Sequence, residues 1–256
     1  MVSIRNEDCI FGMESLDPGS VDCIVTSPPY NLGVDYSAYD DYIPRGSYLE
    51  WMKNVAIGME RVLSKDGSLF LNLGSKPTDP WVAYDVLNVF RQRFALQNQF
   101  VWVKSISVDG AGSWGHYKPL NSQRFVNDCW EFIFHLSKTG QVPLDRLALG
   151  VPYADKSNVQ RWDGVKADVR CRGNVWFIPY ETISNRAKDR PHPATFPVKL
   201  VENCLRVHGL DRIRLAMDPF LGLGSSARAA EGLGLDFVGF EIDPDYCSEA
   251  KERLNV

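Results

Sequence analysis

The sequence predicts an α/β fold, a mostly parallel sheet with helices on both faces, and three observations carry that expectation. Short β-branched and apolar runs recur along the chain, and helical patterns separate several of them. Near the C-terminus, "RLAMDPFLGLGSSARAAEGLGLDFVGFEIDPDY" reads as strand, glycine turn, helix, strand and acidic end. At 256 residues and 45% hydrophobic, the chain can bury one large core and still carry an insertion.

Seven runs read as strands: roughly 2–5, 21–26, 68–73, 97–104, 130–136, 213–217 and 236–240. A helix over 48–63 follows from Leu49, Met52, Val55, Ala56, Met59, Val62 and Leu63 at helical spacing, with Ser47 and Glu50 as a capping box. Lys65, Asp66 and Gly67 then turn the chain into "SLFLNLG". Proline at a first helical position marks two more starts, Pro80 after Asp79 and Pro244 after Asp243. A further helix runs from about Pro197 to Gly209, a residue suited to a left-handed C-terminal cap. Between 137 and 191 periodicity is lost among Pro143, Pro152, Pro179 and Pro191, which predicts a long irregular insertion.

Composition excludes several classes of function. The net charge of −4 is not that of a strongly basic nucleic-acid coat, although residues 104–190 hold 13 Lys and Arg against 9 Asp and Glu. Six scattered cysteines, with no Cys-x-x-Cys pair, read as reduced and mostly buried thiols, and four unclustered histidines add no metal site. No apolar run approaches the roughly 20 residues that span a bilayer. "MVSIRNEDCI" lacks the basic and apolar pattern of a leader, so a soluble, cytoplasmic protein is expected.

In the C-terminal unit, Gly222 and Gly224 let the backbone pass close to a ligand, and the following helix offers its N-terminus. Glu241, ending the second strand, stands where a carboxylate meets ribose hydroxyls. A dinucleotide is the competing reading. Against it, the turn lacks the third glycine of G-x-G-x-x-G, and Asp218 would repel a pyrophosphate while tolerating a cationic sulfonium. S-adenosylmethionine is therefore favoured.

The strand "VDCIVT" stops at Ser27, Pro28, Pro29 and Tyr30, since two prolines cannot continue a ladder. Such a stop is ordinarily a loop, but in an open α/β sheet it lies at the carboxyl edge where ligands bind.

Together these segments resemble the S-adenosylmethionine-dependent DNA amino-methyltransferases of the N4-cytosine/N6-adenine family. "TSPPYN" matches the family's catalytic motif and "FLGLGS" its cofactor motif. The catalytic motif comes first, the permuted order of the β group. "ERVLSKDGSLFLNLGS", "WVK", "EFIFHLSKTG" and "RPHPATFPVKL" resemble further family segments in the same order.

The resemblance implies a Rossmann-like, seven-stranded, mostly parallel methyltransferase sheet. Residues 1–104 and 176–256 would form the catalytic and cofactor-binding domain, and 105–175 a target-recognition region that includes a sheet strand near 130–136. Ser27, Pro28, Pro29 and Tyr30 would be catalytic: Ser27 and the Pro28 carbonyl accept the two hydrogens of the target amine, and Tyr30 stacks on a flipped base. The cofactor would meet Asp8, Asp218, Pro219, Phe220, Gly222, Gly224, Ser225 and Glu241, with Thr195 and Phe196 closing over its methionine end. Asp8 also reads as a simple helix cap, and the N-terminus would supply the strand next to Glu241.

Transfer would be direct and in line, without a covalent enzyme intermediate. Methylation at cytosine carbon 5 is disfavoured, because no cysteine here follows a proline. Serine at the first motif position favours N4 of cytosine, with N6 of adenine as the alternative. Methylation of RNA or a protein glutamine, and a non-catalytic DNA-binding subunit, are the remaining readings. The implied partner is duplex DNA, with a cognate restriction endonuclease as a further candidate, no membrane, and a monomer or homodimer. Residues 31–47, polar and Tyr-rich, read either as a lid beside the flipped base or as a surface loop, and Lys104, Lys118, Arg124, Lys156, Arg161, Lys166, Arg170 and Arg172 are candidates for phosphate or base contact, with no base reader singled out.

Overall fold

A computed structural model describes residues 1–115, 117, 120–161, 167–179 and 196–256. Five strands at the centre and one side of the sheet are parallel: β1 (Val2–Asn6), β2 (Val21–Thr26), β3 (Leu63–Leu73), β9 (Leu215–Asp218) and β10 (Asp236–Glu241). On the other side β7 (Trp130–Ser137) runs antiparallel between β3 and β4 (Ala95–Val103), and β8 (Val175–Phe177) lies parallel to β4. The spatial order is β1-β10-β9-β2-β3-β7-β4-β8. A small hairpin, β5 (Ile106–Val108) with β6 (Gly112–Trp114), stands apart.

All seven expected strands are present, but the sheet has eight. The extra one, "VWF", is only three residues long and was hidden in the aperiodic stretch; its Trp176 is buried against Phe100, ring centroids 4.6 Å apart. The N-terminal strand does complete the cofactor half, with Asn6 opposite Glu241.

Helices cover both faces. On one lie α1 (Cys9–Glu14), α2 (Arg45–Val62) and α3 (Val82–Phe90); on the other α5 (Val198–His208), α6 (Ser225–Gly232) and α7 (Pro244–Leu254). A short α4 (Ser157–Arg161) interrupts the irregular segment. In α2 the stripe Met52, Val55, Ala56, Met59 and Val62 is fully buried, as its spacing requires. Truncating Met59 to alanine would cost about 2–5 kcal/mol.

Local signals were less exact than periodicity. α2 starts two residues before Ser47, on Pro44, with no side-chain cap, so the capping box does not form. Lys65–Gly67 stays within β3 as an irregularity in its pairing to β2 rather than a turn. Pro80 precedes α3 without entering it. Asp243 does cap α7, accepting from the backbone N–H groups of Asp245 and Tyr246, with Pro244 at the first turn. Gly209 ends α5 at φ 107°, ψ 109°, a glycine conformation but not a left-handed helical one. The six cysteines are free, four of them buried. Among the described residues no helix is long and apolar enough to cross a membrane, and no cluster is arranged to hold a metal ion.

Candidate active site

β2 and β9 are neighbours in the sheet, with Cys23 opposite Ala216 and Ile24 opposite Met217. Two segments about 190 residues apart in sequence therefore emerge side by side at one carboxyl edge. The last residues of the two strands are bonded to each other: Thr26 Oγ1 donates to Asp218 Oδ1 at 2.6 Å. Around this junction opens a pocket lined by Ser27, Pro28, Pro29 and Tyr30 on one side and by Asp8, Pro219, Phe220, Gly222, Ser225 and Glu241 on the other, with Phe196 at its wall.

Asp218 itself is fully buried beneath the pocket rather than lining it. Its carboxylate also accepts from Ser226 Oγ at 2.6 Å and from the Phe220 N–H at 2.9 Å. Burial pushes its pKa up to about 6, against the pull of those three donors. It acts as a clamp that joins strand, turn and helix. Gly224 likewise sits outside the lining, at φ 83° as the N-cap of α6, where a Cβ would press on Ala250 and Leu254 at 3.3 Å. Thr195 and the rest of the 180–195 stretch lie outside the described residues.

The glycine turn is wrapped on itself. The Gly222 N–H donates to Glu241 Oε2 at 2.8 Å, Gly224 N–H to the Leu221 carbonyl at 3.0 Å, and Leu221 N–H to the Phe240 carbonyl at 2.9 Å. With Phe220 N–H on Asp218, these amides are engaged within the protein and do not form a phosphate cradle. Asp8, Glu241 and Asp243 add carboxylates to the pocket wall, and burial raises the Glu241 pKa. The surroundings favour a cation over a pyrophosphate. Asp8 also caps α1, accepting from the Ile10 N–H at 2.8 Å, so the cap reading and the pocket reading hold together.

The tetrapeptide is fixed from below by Tyr48, whose fully buried hydroxyl-bearing ring on α2 donates to the Pro29 carbonyl at 2.8 Å. Tyr30 does more than present a ring. Its hydroxyl lies 2.7 Å from Ser27 Oγ and donates to Glu131 Oε2 at 3.2 Å. Glu131 also accepts from Asn72 Nδ2 at 3.1 Å and from Lys104 Nζ at 2.9 Å. Because Asn72 Nδ2 also donates to the Phe132 carbonyl at 2.9 Å, its amide orientation is fixed, and its buried Oδ1 has no partner among the described residues.

Residues 31–43 form a compact loop tied by one carboxylate. Asp41, 3% exposed, accepts from the N–H groups of Asn31, Leu32 and Val34 at 2.8, 3.0 and 3.0 Å. The loop lines the pocket with Val34, Tyr36, Ala38 and Tyr39, and Ser37 Oγ donates to Asp243. It thus reaches the pocket wall that carries Glu241 and the glycine turn. Trp51 carries the contact inward, 5.4 Å from Tyr39 and 5.6 Å from Phe220 between ring centroids.

Sequence reading did not single out Glu131, Asn72, Tyr48, Trp51 or Asp41. Glu131, Asn72, Tyr48 and Trp51 act through partners outside their own element and Asp41 through the folding of its own loop; only Tyr48 carried a signal, one turn before the periodic stripe of α2. Of the candidate DNA contacts, Lys104 is paired with Glu131 and Lys156, itself exposed, with Asp168. Arg124, Arg161, Arg170 and Arg172 are exposed; Lys118 and Lys166 lie outside the described residues.

A family model described as DNA methylase matches residues 21–252. The type II methyltransferase M.HpaI of Haemophilus parainfluenzae is 27% identical over 97% of this chain and 72% of its own length. The DNA adenine methyltransferase YhdJ of Escherichia coli K12 is 24% identical over 99% and 83%. The PvuII DNA methyltransferase (cytosine-N4-specific) shares the fold with a TM-score of 0.71 at 20% identity, covering 98% of this chain and 86% of that one.

Proposed function

The chain belongs to the N6/N4 DNA methylase family, and from that premise we propose that it transfers a methyl group from S-adenosylmethionine to the exocyclic N4 of cytosine in duplex DNA. The observation that carries this reading is the junction of Ser27 with the Pro219–Ser225 turn across adjacent strands, locked by the Thr26–Asp218 bond. S-adenosylmethionine, when bound, supplies an electrophilic methyl on a cationic sulfur. Asp8, Phe196, Pro219, Phe220, Gly222, Ser225 and Glu241 are the residues assigned to hold it. Asp218 and Gly224 shape their turn, and Thr195 belongs to the same closing motif. The carboxylates and the self-satisfied glycine turn suit a cation without phosphates.

The lone pair of an exocyclic amine is delocalised into its ring, so the protein must hold the two hydrogens and free that pair. Ser27 Oγ and the Pro28 carbonyl are assigned as the acceptors, the latter fixed by proline rigidity. Tyr30 flanks a base swung out of the duplex. The aromatic wall of Tyr39, Trp51 and Phe220 lowers the local dielectric and strengthens those hydrogen bonds. Serine in place of a carboxylate as first acceptor supports cytosine as the base. Residues 105–175 are assigned to target recognition, around the sheet strand β7, and a cognate restriction endonuclease is a further candidate partner.

Incubating the protein with methyl-labelled S-adenosylmethionine and genomic DNA, followed by nucleoside mass spectrometry, should yield N4-methylcytosine. N6-methyladenine in the digest would overturn the base assignment. Label on RNA or a glutamine peptide but not on DNA would overturn the substrate, and sequencing the modified context gives the site.

A further inference from the structure

We propose that Glu131 is a positioning residue: acting through Tyr30, it makes the Ser27 hydroxyl an acceptor only, and so selects an amine over a carbonyl at the target atom. This rests on the amino-methylation reading above. A serine alone does not make that choice, because its hydroxyl rotates and can donate as readily as it accepts. A carboxylate can only accept. Tyr30 has one proton, and its bond to Glu131 Oε2 uses it. The 2.7 Å contact between Ser27 and Tyr30 must then be donated by Ser27. What remains of Ser27 towards the pocket is lone pairs.

The arrangement around Glu131 is built rather than incidental. Its side chain is 13% exposed and lies at the start of β7, opposite Trp102. Lys104 and Asn72 hold one oxygen each. Gly74, at the end of β3, leaves the space: a Cβ there would stand 2.9 Å from Tyr30 Cε2 and 3.1 Å from Glu131 Cδ. Nothing local in sequence announces this, since Tyr30 and Glu131 are 101 residues apart.

The test compares wild type, E131L, Y30F, E131L/Y30F and K104M; leucine is used because a glutamine would keep an acceptor oxygen facing Tyr30 and Asn72. On genomic DNA, E131L and Y30F should each lower kcat on the order of 10²-fold, and the double variant no further, because both cut one chain. Calorimetric affinity for S-adenosylmethionine should stay within about twofold, which also reports folding. A second readout needs no turnover. Duplexes carrying the mapped site are prepared with the target base or with its keto analogue, uracil for cytosine or hypoxanthine for adenine. The amine-to-keto binding ratio should fall by about tenfold in E131L and Y30F relative to wild type, one hydrogen bond's worth, while K104M, which keeps the chain, retains the ratio. In an S27D background E131L should cause no further loss, since a carboxylate has no proton to orient.

A wild-type rate and ratio in E131L, additive losses in the double variant, or a K104M ratio as low as that of E131L would each overturn the inference. If E131L does not fold, an unchanged ratio in Y30F overturns it. Absence of label on any DNA from the wild type would instead defeat the amino-methylation reading itself.

Discussion

The two sides of the pocket hold their carboxylates in different ways. On the side assigned above to the cofactor, Glu241 is satisfied by the backbone N–H groups of Gly222 and Asp243, and Asp218 by that of Phe220 together with two hydroxyls. On the side assigned to the base, Glu131 is held by side chains only, Tyr30, Asn72 and Lys104, which come from three other segments. Backbone donors are fixed by local conformation, whereas side-chain donors are fixed only once distant strands have paired. The first arrangement suits a constant ligand; the second leaves each contact separately changeable by substitution.

The largest expected effect breaks the base side alone. Ser27→Ala should reduce kcat for DNA methylation at least on the order of 10²-fold while S-adenosylmethionine affinity, measured by calorimetry, is unchanged. A matching loss of cofactor affinity would mean the two sides are not separable. Next, Asp218→Ala removes the clamp that both sides share. It strands Thr26, Ser226 and the Phe220 N–H in a fully buried place, so urea denaturation should show a loss of about 3 kcal/mol.

Acid should separate the sides by sign. Below the base side, Ser68 of β3 bridges His135 of β7 and His208 at the end of α5, at 2.9 and 2.8 Å, and burial holds both imidazoles down to about 4. Their unfolded value is near 6.5. As pH falls below that value the unfolded chain takes up protons the fold refuses, so stability declines from about pH 6.5 down to about 4, by at most about 3 kcal/mol per ring. Asp218 runs the other way. Raised to about 6 by burial, it contributes most below its unfolded value of about 3.9, and that contribution is lost as pH rises through about 6. Amide exchange at pH 5 should therefore rise in β3 and β7 before β9 and β10. Uniform exchange across the sheet would remove the distinction. The smallest effect is expected at the loop: Ser37→Ala cuts its link to Asp243 and should speed cofactor dissociation by a few-fold in stopped flow, leaving kcat unaltered.

Much of this was legible beforehand, for physical reasons. Strand and helix periodicity located the seven strands and the stripe of α2, because burial on one face forces a repeat. Caps were misplaced at Ser47 and Pro80, since a short side chain signals a helix start only if the chain turns there. β8 was missed because three residues carry no period. Lys104 was named a DNA-contact candidate from its charge alone; its pairing with Glu131, 27 residues on, was not legible because it depends on strand pairing.

The sequence by itself determined the fold class, the strand that ends in Ser27-Pro-Pro-Tyr30, and the glycine turn at 222–224. Each of these is set by local conformational restriction, in proline, glycine or alternating burial. Only the tertiary structure decided that Asp218 is a buried clamp, that the 31–43 loop reaches Asp243, and that Glu131 stands behind Tyr30 and Ser27. Those contacts depend on which strands lie side by side, and strand order arises from the packing of the whole sheet.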